Sequence, residues 1–311
     1  MTDVQDSDFQ HGRDILQSLV RGDGVIGLIA DVPGTMEAMM DALWKSAGRG
    51  NPIAYRSLGD CYLANLQAMG AFDGVPPEDA AKRAFSSAAS EVEDNDNEAL
   101  QAALRCYFEA ARLGDRASAI QFAQMSRHSD LANQFRARDI LAALPNPTPA
   151  ELYQLGLVQN WLHDLEDSAA THIKAAELGN LDAQFELSIY YAQGLGVEAD
   201  SARAQSWLKR AADGSHPRAL YNVAAAYATG SAGEQDTAKA TKYYERAAEH
   251  GHGRAAATLA VMILTNEIEG TKKKSIEWLN LADEHGYASW QLLDAAGLSD
   301  PRDEDSEDED S

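Results

Sequence analysis

A double alanine followed by a glycine returns at a near-constant interval along the second half of this chain. Ala175-Ala176 precedes Gly179, Ala211-Ala212 precedes Gly214, Ala247-Ala248 precedes Gly251, and Ala282 precedes Gly286. The alanines step by 36, 36 and 35 residues, and the glycines by 35, 37 and 35. Thr171, Trp207, Tyr243 and Trp278 each stand four residues before an alanine set. A period of this length specifies stacked supersecondary units that bury their apolar faces on one another, rather than one closed core.

Each period reads as two helices. After each glycine a second set recurs at spacings of four: Ala183, Leu187, Tyr191; Ala219, Val223, Tyr227; Ala255, Leu259, Ile263. That spacing places the three side chains on one helical face. The glycine after the double alanine suits a left-handed position just past a helix. Gly194 and Gly230 end the first helix of their units, while Asp200, Ser201 and Asp236 open the second. The alanines let helices approach closely, and the aromatic residue one turn earlier, such as Trp207, is expected to fill the gap between repeats. An earlier copy is legible at Gly50, Ala54, Leu58 and Tyr62, and Ala110-Ala111 with Gly114 repeats the signature.

These residues resemble the Sel-one-like repeat, a branch of the tetratricopeptide superfamily. The match is best from Ala183 through Gly214, including Tyr191, Gly194, Gly196, Val197, Ala204, Trp207, Ala211 and Ala212. It is strong over residues 148–290 and fainter over 42–128. The resemblance implies an all-α protein, an α-solenoid of about seven stacked antiparallel helix pairs. It further implies a scaffold or adaptor role and no particular reaction. The domain reading is an N-terminal helical cap over 1–48, degenerate helical repeats over 49–144, regular repeats over 145–296, and an acidic disordered tail over 297–311. Helices are expected at 8–21, 35–47, 52–68, 76–90 and 97–113, a degenerate unit at 116–143, and a helix near 150–162. The run Pro145-Asn146-Pro147-Thr148-Pro149 reads as a rigid inter-repeat turn or a hinge.

Charge narrows the partner. With 26 Lys and Arg against 49 Asp and Glu, the chain carries −23 and would repel a nucleic-acid backbone. Residues 300–311 hold eight acids and one arginine, a self-repelling block expected to be disordered. No stretch approaches the length of an apolar membrane span, and the opening residues lack a basic segment followed by an apolar one. Two cysteines, Cys61 and Cys106, make neither a disulfide framework nor a zinc cage. A reduced, cytoplasmic protein is expected, with no membrane and no nucleic-acid partner.

No constellation for catalysis or for a cofactor emerges. Gly22-Asp23-Gly24-Val25-Ile26-Gly27 matches a dinucleotide glycine pattern, but helical periodicity precedes it where a strand is required. Glu93 to Glu98 is rich in oxygen ligands; a calcium loop counted from Asp94 would need glycine and glutamate where Ala99 and Arg105 stand. His250 and His285 precede successive glycines and read as complements of helix C-terminal dipoles, and His250 with His252 lacks a third metal ligand. Cys61 lacks a basic activating neighbour. The chain therefore reads as no enzyme, without cofactor or metal.

The resemblance puts the first helix of each pair on the inner, concave surface. With Leu187 marking the core direction, Asp182, Phe185 and Ile189 fall on a second stripe, matched by Arg218 and Tyr221 one repeat on and Arg254 one further. Arg56 stands in the equivalent stripe of the early copy. An apolar and aromatic strip flanked by arginine suits a peptide or partner protein, or simply packs against the neighbouring repeat. The leading functional reading is a non-enzymatic interaction scaffold or adaptor. The alternative is an acidic inhibitor or immunity-type protein that neutralises a basic partner such as a nuclease.

Overall fold

The computed structural model describes residues 35–68, 94–231 and 233–303. The expected helices at 8–21 and 76–90, the glycine loop at 22–27 and residues 304–311 of the acidic tail lie outside them. Every regular element among the described residues is helical, fourteen in all. They are α1 Thr35–Gly48, α2 Pro52–Ala68, α3 Asp94–Arg112, α4 Arg116–Ser126, α5 Leu131–Ala142, α6 Pro149–Trp161 and α7 Leu165–Glu177. There follow α8 Leu181–Gln193, α9 Ser201–Asp213, α10 Pro217–Thr229, α11 Thr237–Glu249, α12 Gly253–Leu264, α13 Lys272–Glu284 and α14 Trp290–Ala295. None of these helices is long and apolar enough to cross a membrane. Residues 94–98 form the first turns of α3 rather than a calcium-type loop.

Two compact units divide the chain between Ser168 and Ala169, each an α-solenoid of stacked helix pairs. In the first, Tyr107, Phe122, Leu141 and Val158 are at most 2% exposed and share one core. The Tyr107 hydroxyl donates to Asp60 Oδ1 at 2.6 Å, tying α3 to α2, and burial first, with the Asp60 carboxylate adding to it, raises the phenol pKa. The proline run is clasped. Thr148 caps α6 in a reciprocal box with Glu151, and Pro149 occupies the first turn. Arg116 Nε donates to Glu151 Oε1 at 2.6 Å, and its terminal nitrogens donate to the carbonyls of Pro145 (3.1 Å) and Asn146 (3.2 Å). One guanidinium thus fixes both ends of the turn.

In the second unit the pairs are α8 with α9, α10 with α11, and α12 with α13. Ala175, Ala211, Ala247 and Ala255 are fully buried, so the alanine periodicity is the packing seam. Asp200 and Asp236 cap α9 and α11, and Gly194 and Gly230 close α8 and α10 in left-handed conformation, each with φ of 72°. Gly214 departs from the expectation. Its φ is −75°, and Ser215 takes the left-handed position with φ of 67°. The glycine serves instead because a methyl there would overlap the Leu181 side chain. The uneven glycine steps of 35 and 37 follow, since the left-handed positions 179, 215 and 251 are evenly spaced. Trp207 is half-buried, with the Arg210 guanidinium 4.3 Å from its ring, and at the equivalent positions Tyr243 and Trp278 pack against the core of the unit.

His172 is fully buried and packs edge-on against Tyr190 at 5.4 Å. Burial lowers its pKa from 6.5 to about 4, so the native ring is neutral. The unfolded chain takes up the proton first as pH falls, so this stability is complete above about pH 6.5 and drains away toward pH 4. Between pH 7 and 4.5 the second unit should lose about 2–3 kcal/mol from this residue. Denaturant melts at the two pH values should show the loss, and His172→Phe should remove most of it; an equal loss in the variant would refute the assignment.

Candidate protein-interaction face

The first helices of the second unit start on unusual caps. Asn180 caps α8 through its side-chain oxygen, whereas His216 and His252 cap α10 and α12. Each imidazole accepts through Nδ1 from the backbone N–H three residues on, Ala219 or Ala255, at 3.2 Å. A ring nitrogen that accepts carries no proton, so the remaining hydrogen of the neutral ring sits on Nε2. His216 Nε2 accordingly faces Asp182 Oδ1 at 3.3 Å. That hydrogen bond first, and the charge of Arg218 in addition, hold the Asp182 carboxyl below its usual range.

Each cap is also a lid on an aromatic ring of the preceding repeat. His216 stacks on Phe185 with centroids 4.8 Å apart, and the Arg218 guanidinium lies 4.4 Å from the same ring. One repeat on, His252 stacks on Tyr221 at 4.6 Å and Arg254 lies over that ring at 5.6 Å. Residues 182, 185, 216 and 218 thus map onto 218, 221, 252 and 254 by a step of 36. At the second rung Arg218 replaces the carboxylate of Asp182. Burial first, then the charges of Arg218 and Arg254, lower the pKa of His252 and keep it neutral. The ladder stops after two rungs because Ala257 offers no ring.

The structure therefore brings together five of the seven residues singled out from the sequence: Asp182, Phe185, Arg218, Tyr221 and Arg254. Their exposure differs by chemistry. Phe185 is 3% exposed and Tyr221 half-buried, while Asp182, Arg218 and Arg254 reach solvent. The rings support; the guanidinia and the carboxylate face outward. Ile189 turns inward and packs on the core of the unit. Arg56 belongs to the first unit, where it donates to Asp115, the cap of α4, at 3.1 and 3.4 Å. There the joint that Phe185 makes with His216 by stacking is made by an ion pair. The histidine caps escaped sequence reasoning although their signal, His216 and His252 at a step of 36, was available. Among the described residues no group of three or more His, Cys, Asp or Glu converges as a metal site.

The family model of the Sel1 repeat matches residues 98–115, 181–216 and 217–252. The last two stretches contain both rungs of the ladder except Arg254. Among solved structures, the chain is similar to a Sel1 repeat protein from Oxalobacter formigenes, with 25% identity, 62% of this chain and 84% of that chain covered, and a TM-score of 0.48. It is also similar to a protective antigen of uropathogenic Escherichia coli strains described as displaying an SLR fold, with 22% identity, 94% of this chain and 65% of that one covered, and a TM-score of 0.46. A Pseudomonas aeruginosa protein shares 20% identity over 73% of this chain and 84% of that chain, with a TM-score of 0.40. No curated protein matches.

Proposed function

Because this chain carries Sel1 repeats, we propose that it is a protein-interaction scaffold that binds a peptide or protein on the first-helix face of its second unit. The observation that carries this reading is the ladder. Arg218 and Arg254 are exposed yet laid over Phe185 and Tyr221, so each guanidinium is oriented before a ligand arrives. Pre-orienting a long side chain spares the ordering cost of about 0.5–1.5 kcal/mol that binding would otherwise incur. Arginine presents a planar fork suited to carboxylates and backbone carbonyls. The ligand is therefore a segment that offers such oxygens along an extended backbone. Two unbridged thiols, Cys61 and Cys106, support a cytoplasmic setting.

The test is capture of the native partner by the full chain, identified by mass spectrometry, with Arg218→Glu/Arg254→Glu as the comparison. Capture should fall at least about tenfold, the usual order when two oriented charges are reversed, while helicity is kept. Undiminished capture would refute the face. A second reading, neutralisation of a basic partner such as a nuclease, is favoured by the net charge of −23. It predicts capture that survives the double reversal and collapses as salt rises.

A further inference from the structure

The acidity of this chain is not evenly spread. From Ser201 through Ser275 there are 11 Lys and Arg against seven Asp and Glu, which leaves +4 inside a chain of −23. Residues 276–303 hold six acids and only Arg302. Glu304 to Ser311 then adds six acids and no cation. The C-terminal segment is thus repelled by its immediate neighbours and attracted to the stretch before them.

Where the described chain ends decides which cations it meets. Arg302 donates to Asp283 Oδ2 at 2.7 Å, to Asn280 Oδ1 at 3.2 Å and to the Ser289 hydroxyl at 3.1 Å, pinning the chain to the C-terminal end of α13. That end lies against the start of α12: a Cβ on Gly253 would come within 2.8 Å of the Ala282 carbonyl and 2.7 Å of Tyr287 Cβ. Arg254 is the next residue along α12, and Arg218 holds the matching place on α10. Eight extended residues reach about 26–29 Å. Neighbouring helices are spaced about 8–10 Å apart, so both arginines are within range. Lys272, Lys273 and Lys274 form a consecutive basic run, but they open α13 and stand at its opposite end. The remaining six cations of the stretch lie on α9 and α11, where Arg210 covers Trp207 and Arg246 donates to the Ala212 carbonyl and the Ser215 hydroxyl.

We propose that the segment Glu304–Ser311 docks in cis on the Arg218/Arg254 face and acts as an internal acidic occupant of the interaction surface. Arg254 makes no ion pair among the described residues, and Arg218 reaches only Glu186, at 3.9 Å. Both guanidinia thus retain donors for the carboxylates of the segment. Asp182 borders the first rung and bonds to His216, so it directs the segment toward the Arg254 side. The inference uses the face assigned above, but its test needs no partner and so fails or stands separately.

The experiment places a nitroxide on Ser306→Cys in the full chain and reads paramagnetic loss of amide signals. The native thiols interfere little, because burial pushes Cys61 up to about 11 and Cys106 up to about 12, and both stay protonated near pH 7. Signals at the starts of α10 and α12 should be lost. They should return with Arg218→Gln/Arg254→Gln, with neutralisation of the six segment acids, and in about 1 M salt, where the screening length is about 3 Å. The segment-side variant alters none of the fourteen helices, so the test survives if the arginine variant fails to fold. Losses centred on Lys272–Lys274, losses seen only between molecules of a mixed labelled sample, contact that persists without both arginines, or no local loss at all would each overturn the proposal.

Discussion

Phe185→Ala is expected to lower the stability of the second unit by about 3–5 kcal/mol. The ring is 3% exposed and belongs to the same core as Ala211, Ala219 and Leu220. Removing it deletes the transfer gain of a large apolar side chain and leaves a void beneath His216, which caps α10 and cannot sink without releasing Ala219 N–H. The Arg218 guanidinium loses its platform at the same stroke. Tyr221→Ala, at a half-buried position, should cost less, and the double variant less than the sum, because Arg218 stands between the two rungs. The contrast is with Arg218→Gln/Arg254→Gln, which removes exposed charge and should shift stability by no more than about 0.5 kcal/mol per site. Denaturant melts of the four variants check this. An unchanged midpoint for Phe185→Ala would mean that the ring is a surface anchor and not a joint.

The periodic alanines were legible because a small residue at a helix contact is demanded at every repeat; Ala175, Ala211 and Ala247 are 0% exposed, as their spacing requires. Phe185 shows where that reasoning fell short. A single core direction, set by Leu187, leaves Phe185 on the other stripe, but a helix inside an array buries one face on its pair partner and another on the next repeat. Hydrophobic pattern separates inside from outside and does not tell a neighbour's cap from a ligand. At the helix ends the histidine pattern is legible, and there His250 Nδ1 donates to the Arg246 carbonyl at 2.8 Å. At the helix starts it is not, since imidazole ranks below Ser, Thr, Asp and Asn as a cap. Its value at 216 and 252 comes from also stacking on a ring 31 residues earlier in the chain, at Phe185 or Tyr221, a contact no local window contains. At the recurring aromatic position Tyr243 and Trp278 pack on the core of the unit, while Trp207 carries the guanidinium of an adjacent-turn arginine, a contact the repeat spacing does not announce. The division between Ser168 and Ala169 falls within α7, where no glycine or proline marks it.

Arg116→Ala should be the most damaging single change in the first unit outside its apolar core. Glu151 is a buried carboxylate, its side chain only 3% exposed, and Arg116 is the charge that compensates it. The guanidinium bonds first, with help from the Thr148 backbone and hydroxyl against the opposing cost of burial, lower its pKa from 4.5 to about 2. A depressed carboxylate contributes stability that is complete above about pH 4.5 and is lost as pH falls toward 2. Breaking the pair from one side leaves the Glu151 carboxylate buried without its counter-charge, and because Arg116 is 40% exposed, solvent screening moderates the loss without removing it. The carbonyls of Pro145 and Asn146 lose their donor in the same variant, which loosens the turn between α5 and α6. Hydrogen exchange should therefore show protection falling across α4 to α6 while α8 to α12 keep theirs. Replacing both partners with apolar residues, Arg116→Met with Glu151→Leu, should recover much of the loss, because no charge is then left buried. It should also erase the acid transition between pH 4.5 and 2 that this pair contributes. If Arg116→Ala leaves that transition in place, Thr148 alone holds the carboxylate ionised and the guanidinium is only a clasp for the turn.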